Sequence, residues 1–160
     1  MSESTLPLAT FAAGCFWSVE YRFGKQPGVV DTAAGYMGGF LESPTYKQVC
    51  TDRTGHAEVV QLRFDPALSS YESLVRFFFA LHDPTTKNRQ GVDVGTQYRS
   101  AIFFHSEEQQ ATAQRVRDEL NASTFGGRIV TEILPAATFW RAEEYHQRYN
   151  EKHPEMACAI

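Results

Sequence analysis

Residues 8–23 read Leu8-Ala9-Thr10-Phe11-Ala12-Ala13-Gly14-Cys15-Phe16-Trp17-Ser18-Val19-Glu20-Tyr21-Arg22-Phe23. An apolar run of strand length gives way at Gly14-Cys15 to a helix-like segment, so the chain opens as a strand feeding a helix. The same junction holds a thiol followed by two large aromatics. A cysteine at a helix start meets unpaired backbone N–H groups and the positive end of the helix dipole, both of which favour the reactive thiolate. Cysteine is also among the most buried residues and often only packs, so the position, rather than the residue type, makes Cys15 a candidate nucleophile.

Downstream of this unit, a strand is expected across Val29–Gly35, then a Gly-rich loop at Gly38 and Gly39 and a short turn near Thr45–Cys50. A strand follows over Ala57–Phe64, and a helix starts near Ser70, with Ser69 and Glu72 as a capping box. Leu74, Phe77, Phe78 and Leu81 recur at helical spacing, and Asp83-Pro84 ends the run. Residues 83–97 read as a long polar loop. A strand at Tyr98–Phe104, a helix from Ser106 (with Gln109) to about Asn121, a strand at Arg128–Leu134 and a helix near Arg141–Tyr149 complete the ordered part. The first six elements run strand, helix, strand, strand, helix, strand. That order predicts an α/β (α+β) two-layer sandwich with a mixed sheet and a ferredoxin-like βαββαβ core. Extra helices and a loose C-terminal tail (151–160) are added to an ordered core of about 6–150, in a single domain spanning 1–160.

The chain has 160 residues, 42% hydrophobic and 21% charged, with a net charge of −4. That length supports one domain burying roughly 70% of its unfolded surface. The acidic balance argues against nucleic-acid partners and acidic lipid surfaces. No apolar run is long enough for a bilayer, and Met1-Ser2-Glu3-Ser4-Thr5 lacks a basic leader, so a cytoplasmic protein is expected. The three cysteines (Cys15, Cys50, Cys158) form no CxxC pair, and none of the five histidines stands at metal-ligand spacing from another. No helical pattern calls for a partner chain, so a monomer is expected.

Glu58 shares strand parity with Val60, Leu62 and Phe64. Either it is buried and held protonated, able to donate a proton, or it sits at the strand end and reaches water. His56 shares that parity and either orients Glu58 or serves the loop. Tyr46, Asp93, Gln97 and Tyr98 lie in turns or at a strand start, where hydroxyls and carboxylates can line a pocket.

Taken in order, Gly14-Cys15-Phe16-Trp17, Pro44-Thr45-Tyr46, Thr54-Gly55-His56-Ala57-Glu58, Gly95-Thr96-Gln97-Tyr98-Arg99-Ser100 and Tyr145-His146 resemble the type A peptide-methionine sulfoxide reductases over roughly Phe11 to Tyr149. The resemblance implies a mixed α/β fold and reduction of the S epimer of methionine sulfoxide, free or in oxidised proteins. It implies Cys15 as nucleophile, Glu58 as proton donor, Tyr46 and Tyr98 on the sulfoxide oxygen, Phe16 and Trp17 around the methyl group, and Asp93 organising the pocket. Gln97, Tyr145 and His146 would help bind substrate. It implies no metal or organic cofactor, with thioredoxin, or dithiothreitol in its place, as reductant. Cys158 is expected to resolve the sulfenic acid, ahead of Cys50 or an external thiol. Val92 and Asp52-Arg53 depart from the family pattern. A cysteine hydrolase pairing Cys15 with His146, and a non-catalytic module binding methionine-like side chains through Phe16 and Trp17, are the competing readings.

Overall fold

The computed structural model describes residues 5–154. Leu8–Ala13 (β1), Val29–Met37 (β2), Ala57–Phe64 (β3) and Ser100–Phe104 (β6) form the heart of a six-stranded sheet. Glu132–Pro135 (β7) and Trp140–Arg141 (β8) close its two edges, giving the order β7-β6-β1-β3-β2-β8. All neighbours are antiparallel except β6 and β7. The central β6-β1-β3-β2 arrangement, with helices Phe16–Gly24 (α1) and Tyr71–Leu81 (α3) as the crossovers, is the expected ferredoxin-like plait. A short helix, Tyr46–Val49 (α2), a two-stranded ribbon of Arg89–Gln90 (β4) and Asp93–Val94 (β5), and Glu107–Ser123 (α4) complete the main elements.

Both faces of the sheet are covered. Val19 and Phe23 of α1, Leu74, Val75 and Phe78 of α3, and Ala113 and Val116 of α4 pack on one face with Phe11, Val60, Leu62 and Ile102. Phe11 stacks on Phe23 at 4.9 Å and on Phe78 at 5.4 Å between ring centroids. Leu134, Ala136 and Phe139 cover the other face against Met37, Val59 and Phe103. The parity of Glu58, Val60, Leu62 and Phe64 therefore places Glu58 under α1, on the helix-covered face.

Several local expectations are corrected. Ser70, not Ser69, caps α3: the helix begins at Tyr71, and the Ser70 hydroxyl directly before it accepts the Ser73 N–H at 3.0 Å. Tyr98 ends a 3-10 turn (Thr96–Tyr98), and the strand begins at Ser100. The strand expected from Arg128 starts only at Glu132. The helix expected over Arg141–Tyr149 does not form. That stretch is β8, a 3-10 turn (Glu144–His146) and a short helix, Tyr149–Lys152 (α5). Tertiary hydrogen bonds override local propensity there. Gln147 is bonded to both backbone groups of Ala34, and Arg148, at φ 53°, gives its N–H to Glu20. Glu151 and Lys152, expected in the tail, belong to α5. The rest of that tail beyond Pro154, Cys158 included, lies outside the described residues.

Candidate active site

β1 ends at Ala13, and the chain must turn sharply into α1. Gly14 makes the turn at φ 101°, where a side chain would be strained and its Cβ would lie 2.9 Å from Gln90. Cys15 follows as the N-cap of α1. The first helical N–H, that of Phe16, is donated to Glu58 Oε1 at 3.2 Å, so the strand-borne acid of β3 sits directly beside the thiol-bearing turn. Glu58 is 1% exposed, and its second oxygen, Oε2, is buried without a hydrogen-bond partner. Burial pushes its carboxyl up to about 8; the Phe16 N–H pulls it down and Asp93 pushes it up. At neutral pH Glu58 is an uncharged acid with a free O–H to give, which decides between the two alternatives left open by the sequence.

Cys15 departs from expectation. The N–H groups of Trp17 and Ser18 do favour its thiolate, as a helix N-terminus should. Burial outweighs them, and Glu58 and Asp93 add to it, so the thiol is pushed up to about 12. The substrate-free site therefore holds a protonated thiol beside a protonated carboxyl.

Tyr46 opens α2, which Thr45 and Gln48 cap reciprocally. Burial and the Glu58 charge raise the hydroxyls of both Tyr46 and Tyr98, which stay protonated donors. The Tyr46 hydroxyl is bonded to the exposed Cys50 thiol. Asp52, one of the departures from the family pattern, accepts the N–H of Thr96 at 2.8 Å and also its hydroxyl. It thereby ties the loop after α2 to the turn carrying Gln97 and Tyr98. Gln97 is buried there, with Oε1 unpartnered.

The aromatic side of the site is layered. Phe16 is fully buried and packs against Tyr36, Tyr46 and His146. Trp17 stacks on Tyr149 at 3.9 Å and donates its indole N–H to His146 Nδ1 at 2.8 Å. Tyr145 is exposed and lies against the His146 ring. His56 serves its loop: Nδ1 accepts the Gly39 N–H and Nε2 meets Leu41 O. Sequence reasoning missed Glu143. Its two oxygens accept the Tyr36 hydroxyl and the Tyr46 N–H, each at 3.0 Å, and so fix the base of α2. Burial works to raise Glu143, yet these donors hold it below the usual range. An acid two residues before Tyr145-His146 was the available signal.

Among the described residues no cluster of three His, Cys, Asp or Glu side chains could hold a metal ion, and no helix is long and apolar enough to cross a membrane. The hydrolase alternative finds no support: His146 Nδ1 accepts the Trp17 indole N–H, its Nε2 has no partner, and among the described residues no hydrogen bond joins it to Cys15.

A family model described as peptide methionine sulfoxide reductase matches residues 7–160. The peptide methionine sulfoxide reductase MsrA of Acidobacterium capsulatum is 60% identical over 153 residues, covering 95% of this chain and 98% of that protein. The crystal structure of reduced Mxr1 from Saccharomyces cerevisiae superposes with a TM-score of 0.91 at 38% identity, covering 96% of this chain and 89% of that one. Mxr1 in complex with Trx2 matches with a TM-score of 0.65 at 28% identity, over 92% and 87% of the two chains. With a thiol, a buried neutral acid and two phenols gathered at one strand-to-helix turn, the chain belongs to the peptide methionine sulfoxide reductase family.

Proposed function

We propose that this protein reduces the S epimer of methionine sulfoxide, free or in oxidised proteins, with Cys15 as nucleophile and Glu58 as proton donor. The observation that carries this is the buried, uncharged Glu58 with its Oε2 unpartnered beside the Cys15 turn. A sulfoxide has an electrophilic sulfur and an oxygen that leaves badly unless protonated. Its oxygen would take the place that Glu58 Oε2 lacks a partner for, with the Tyr46 and Tyr98 hydroxyls as further donors. Bound in this way, the substrate sets its partial positive sulfur against Cys15 and lowers the cost of the thiolate that burial otherwise suppresses. The Cys15 sulfur takes the oxygen, the S–O bond to substrate breaks, and methionine and a Cys15 sulfenic acid result. Trp17, backed by Phe16 and His146, would wall the methyl group, Asp93 would help keep Cys15 and Glu58 protonated, and Gln97 and Tyr145 would border the bound residue.

Cys158 then condenses with the sulfenic acid, forming a disulfide and releasing water. Thioredoxin reduces that disulfide, in line with the Mxr1–Trx2 complex. No metal or organic cofactor enters this scheme. A single domain acting as a monomer in the cytoplasm, where thiol reductants are held ready, suits the chemistry. Cys15→Ser is expected to abolish methionine formation from methionine sulfoxide with dithiothreitol present. Wild-type turnover in that variant would remove the nucleophile assignment.

A further inference from the structure

Asp52 stands at φ 64°, in the left-handed region where glycine sits most easily and aspartate is tolerated. It also belongs to one of the two stretches that depart from the family pattern. The strain of that backbone is offset by what the side chain holds. One Asp52 carboxylate oxygen accepts both the backbone N–H of Thr96, at 2.8 Å, and the Thr96 hydroxyl.

The two ends of this tie lead to the two phenols. On one side, Asp52 continues the turns of α2. Cys50 N–H goes to Tyr46 O at 2.9 Å, Thr51 N–H to Gln48 O at 3.1 Å and Asp52 N–H to Val49 O at 3.0 Å. Tyr46 is itself held through its N–H by Glu143, so Asp52 is built onto the piece that carries the first phenol. On the other side, Thr96 opens the 3-10 turn that ends at Tyr98. Tyr98 N–H goes to Gly95 O at 3.0 Å, and Thr96 O accepts from Arg99 N–H at 3.2 Å and from Arg99 Nη1 at 2.9 Å. Arg99 Nε pairs in turn with Glu132 at 3.3 Å.

This second piece has few other anchors. It follows β4 and β5, a ribbon of two residues per strand that stands apart from the main sheet, and the chain joins β6 only at Ser100. The two phenols nevertheless share one neighbourhood. Burial leads the rise at both hydroxyls, Glu58 comes next at both, and Tyr98 adds to the rise at Tyr46. A hydroxyl donor must come within about 3 Å of the oxygen it serves, and a displacement of about 1 Å can slow a reaction by up to about a hundredfold. Two donors that arrive on separate pieces of chain reach one oxygen only if the pieces are tied.

We propose that Asp52 is a positioning residue: its bonds to Thr96 fix the Tyr98 turn against the Tyr46 helix, so that both hydroxyls reach a single sulfoxide oxygen. The proposal rests on Tyr46 and Tyr98 being donors to that oxygen. Such donors act most strongly as the S–O bond breaks, so the tie is felt in the rate of that step and hardly in substrate affinity.

The test is rapid-quench measurement of methionine release in a single turnover, using full-length protein and a range of methionine sulfoxide concentrations without reductant. Asp52→Gly suits a backbone at φ 64° and removes only the tie. Its maximal rate should fall about fivefold to tenfold, with the half-saturating concentration within about twofold of wild type. Asp52→Asn keeps an acceptor oxygen and tolerates the same backbone, and should return the rate to within about twofold of wild type. In a Tyr98→Phe background, adding Asp52→Gly should slow release by less than about twofold, because no hydroxyl is left to place. A general structural loss would slow that background by the full factor, and this result would overturn the proposal. So would equal slowing by Asp52→Asn and Asp52→Gly. A wild-type rate in Asp52→Gly alongside a slow Tyr98→Phe would overturn the tie and keep Tyr98 as a donor. An unchanged rate in Tyr98→Phe would remove the donor reading and the tie together.

Discussion

Glu58→Gln is expected to alter how stability depends on pH. In the fold Glu58 titrates near 8 rather than 4.5. Between those values the native state keeps a proton that the unfolded chain has released. The stability this proton confers is fully present below about pH 4.5. It falls by about 1.4 kcal/mol for each pH unit through the window and is lost once pH passes 8, about 5 kcal/mol in all. At 1% exposure, solvent does little to reduce the effect. Glutamine keeps an oxygen for the Phe16 N–H and has no proton to lose. Its buried amide N–H costs about 1–3 kcal/mol at every pH. Urea unfolding of both proteins between pH 5 and 9 should therefore show the variant gaining on the wild type by about 4 kcal/mol from the acid to the alkaline end, at unchanged m-value. Other titrating groups cancel in the difference. Parallel curves would mean that Glu58 is ionised in the fold at neutral pH, and its proton-donor role would fall.

Cys15 in the substrate-free protein should react with iodoacetamide at pH 7.5 more slowly than free cysteine by two to three orders of magnitude, because a thiol held near 12 carries little thiolate. Labelling followed by peptide mapping reads this, and a rate above that of free cysteine would contradict it. Tyr46→Phe and Tyr98→Phe should each slow single-turnover methionine release by about tenfold to a hundredfold, at the low end of what loss of one oxygen-directed donor costs. An unchanged rate in both would leave the oxygen to Glu58 alone. Gly39→Ala should cost about 1–3 kcal/mol in chemical denaturation, because the added Cβ would lie 2.4 Å from His56 N and Thr54 O, both backbone atoms with little freedom to move. A neutral result would show that this loop relaxes freely.

The sequence by itself settled what depends on short-range pattern. The alternation of Ala57–Phe64 put Glu58 on one face with Val60, Leu62 and Phe64, though whether it was buried or reached water was left to the structure, and the helical spacing of Leu74, Phe78 and Leu81 gave α3. The order of elements gave the plait, and five short motifs in series gave the family. Tertiary structure decided what depends on neighbours distant in the chain. Helix-end chemistry at Cys15 argued for a thiolate, yet the burial around the turn, with Glu58 of β3 and Asp93 of β5 adding to it, reversed the balance. The expected helix over Arg141–Tyr149 gave way because Ala34 and Glu20, more than a hundred residues earlier, claimed Gln147 and Arg148. Glu143 became the support of Tyr46 for the same reason. Periodicity reports which face of an element is buried. The protonation state of a group and the anchor of an irregular segment are set by what lies across the fold, and one-dimensional spacing carries no measure of that.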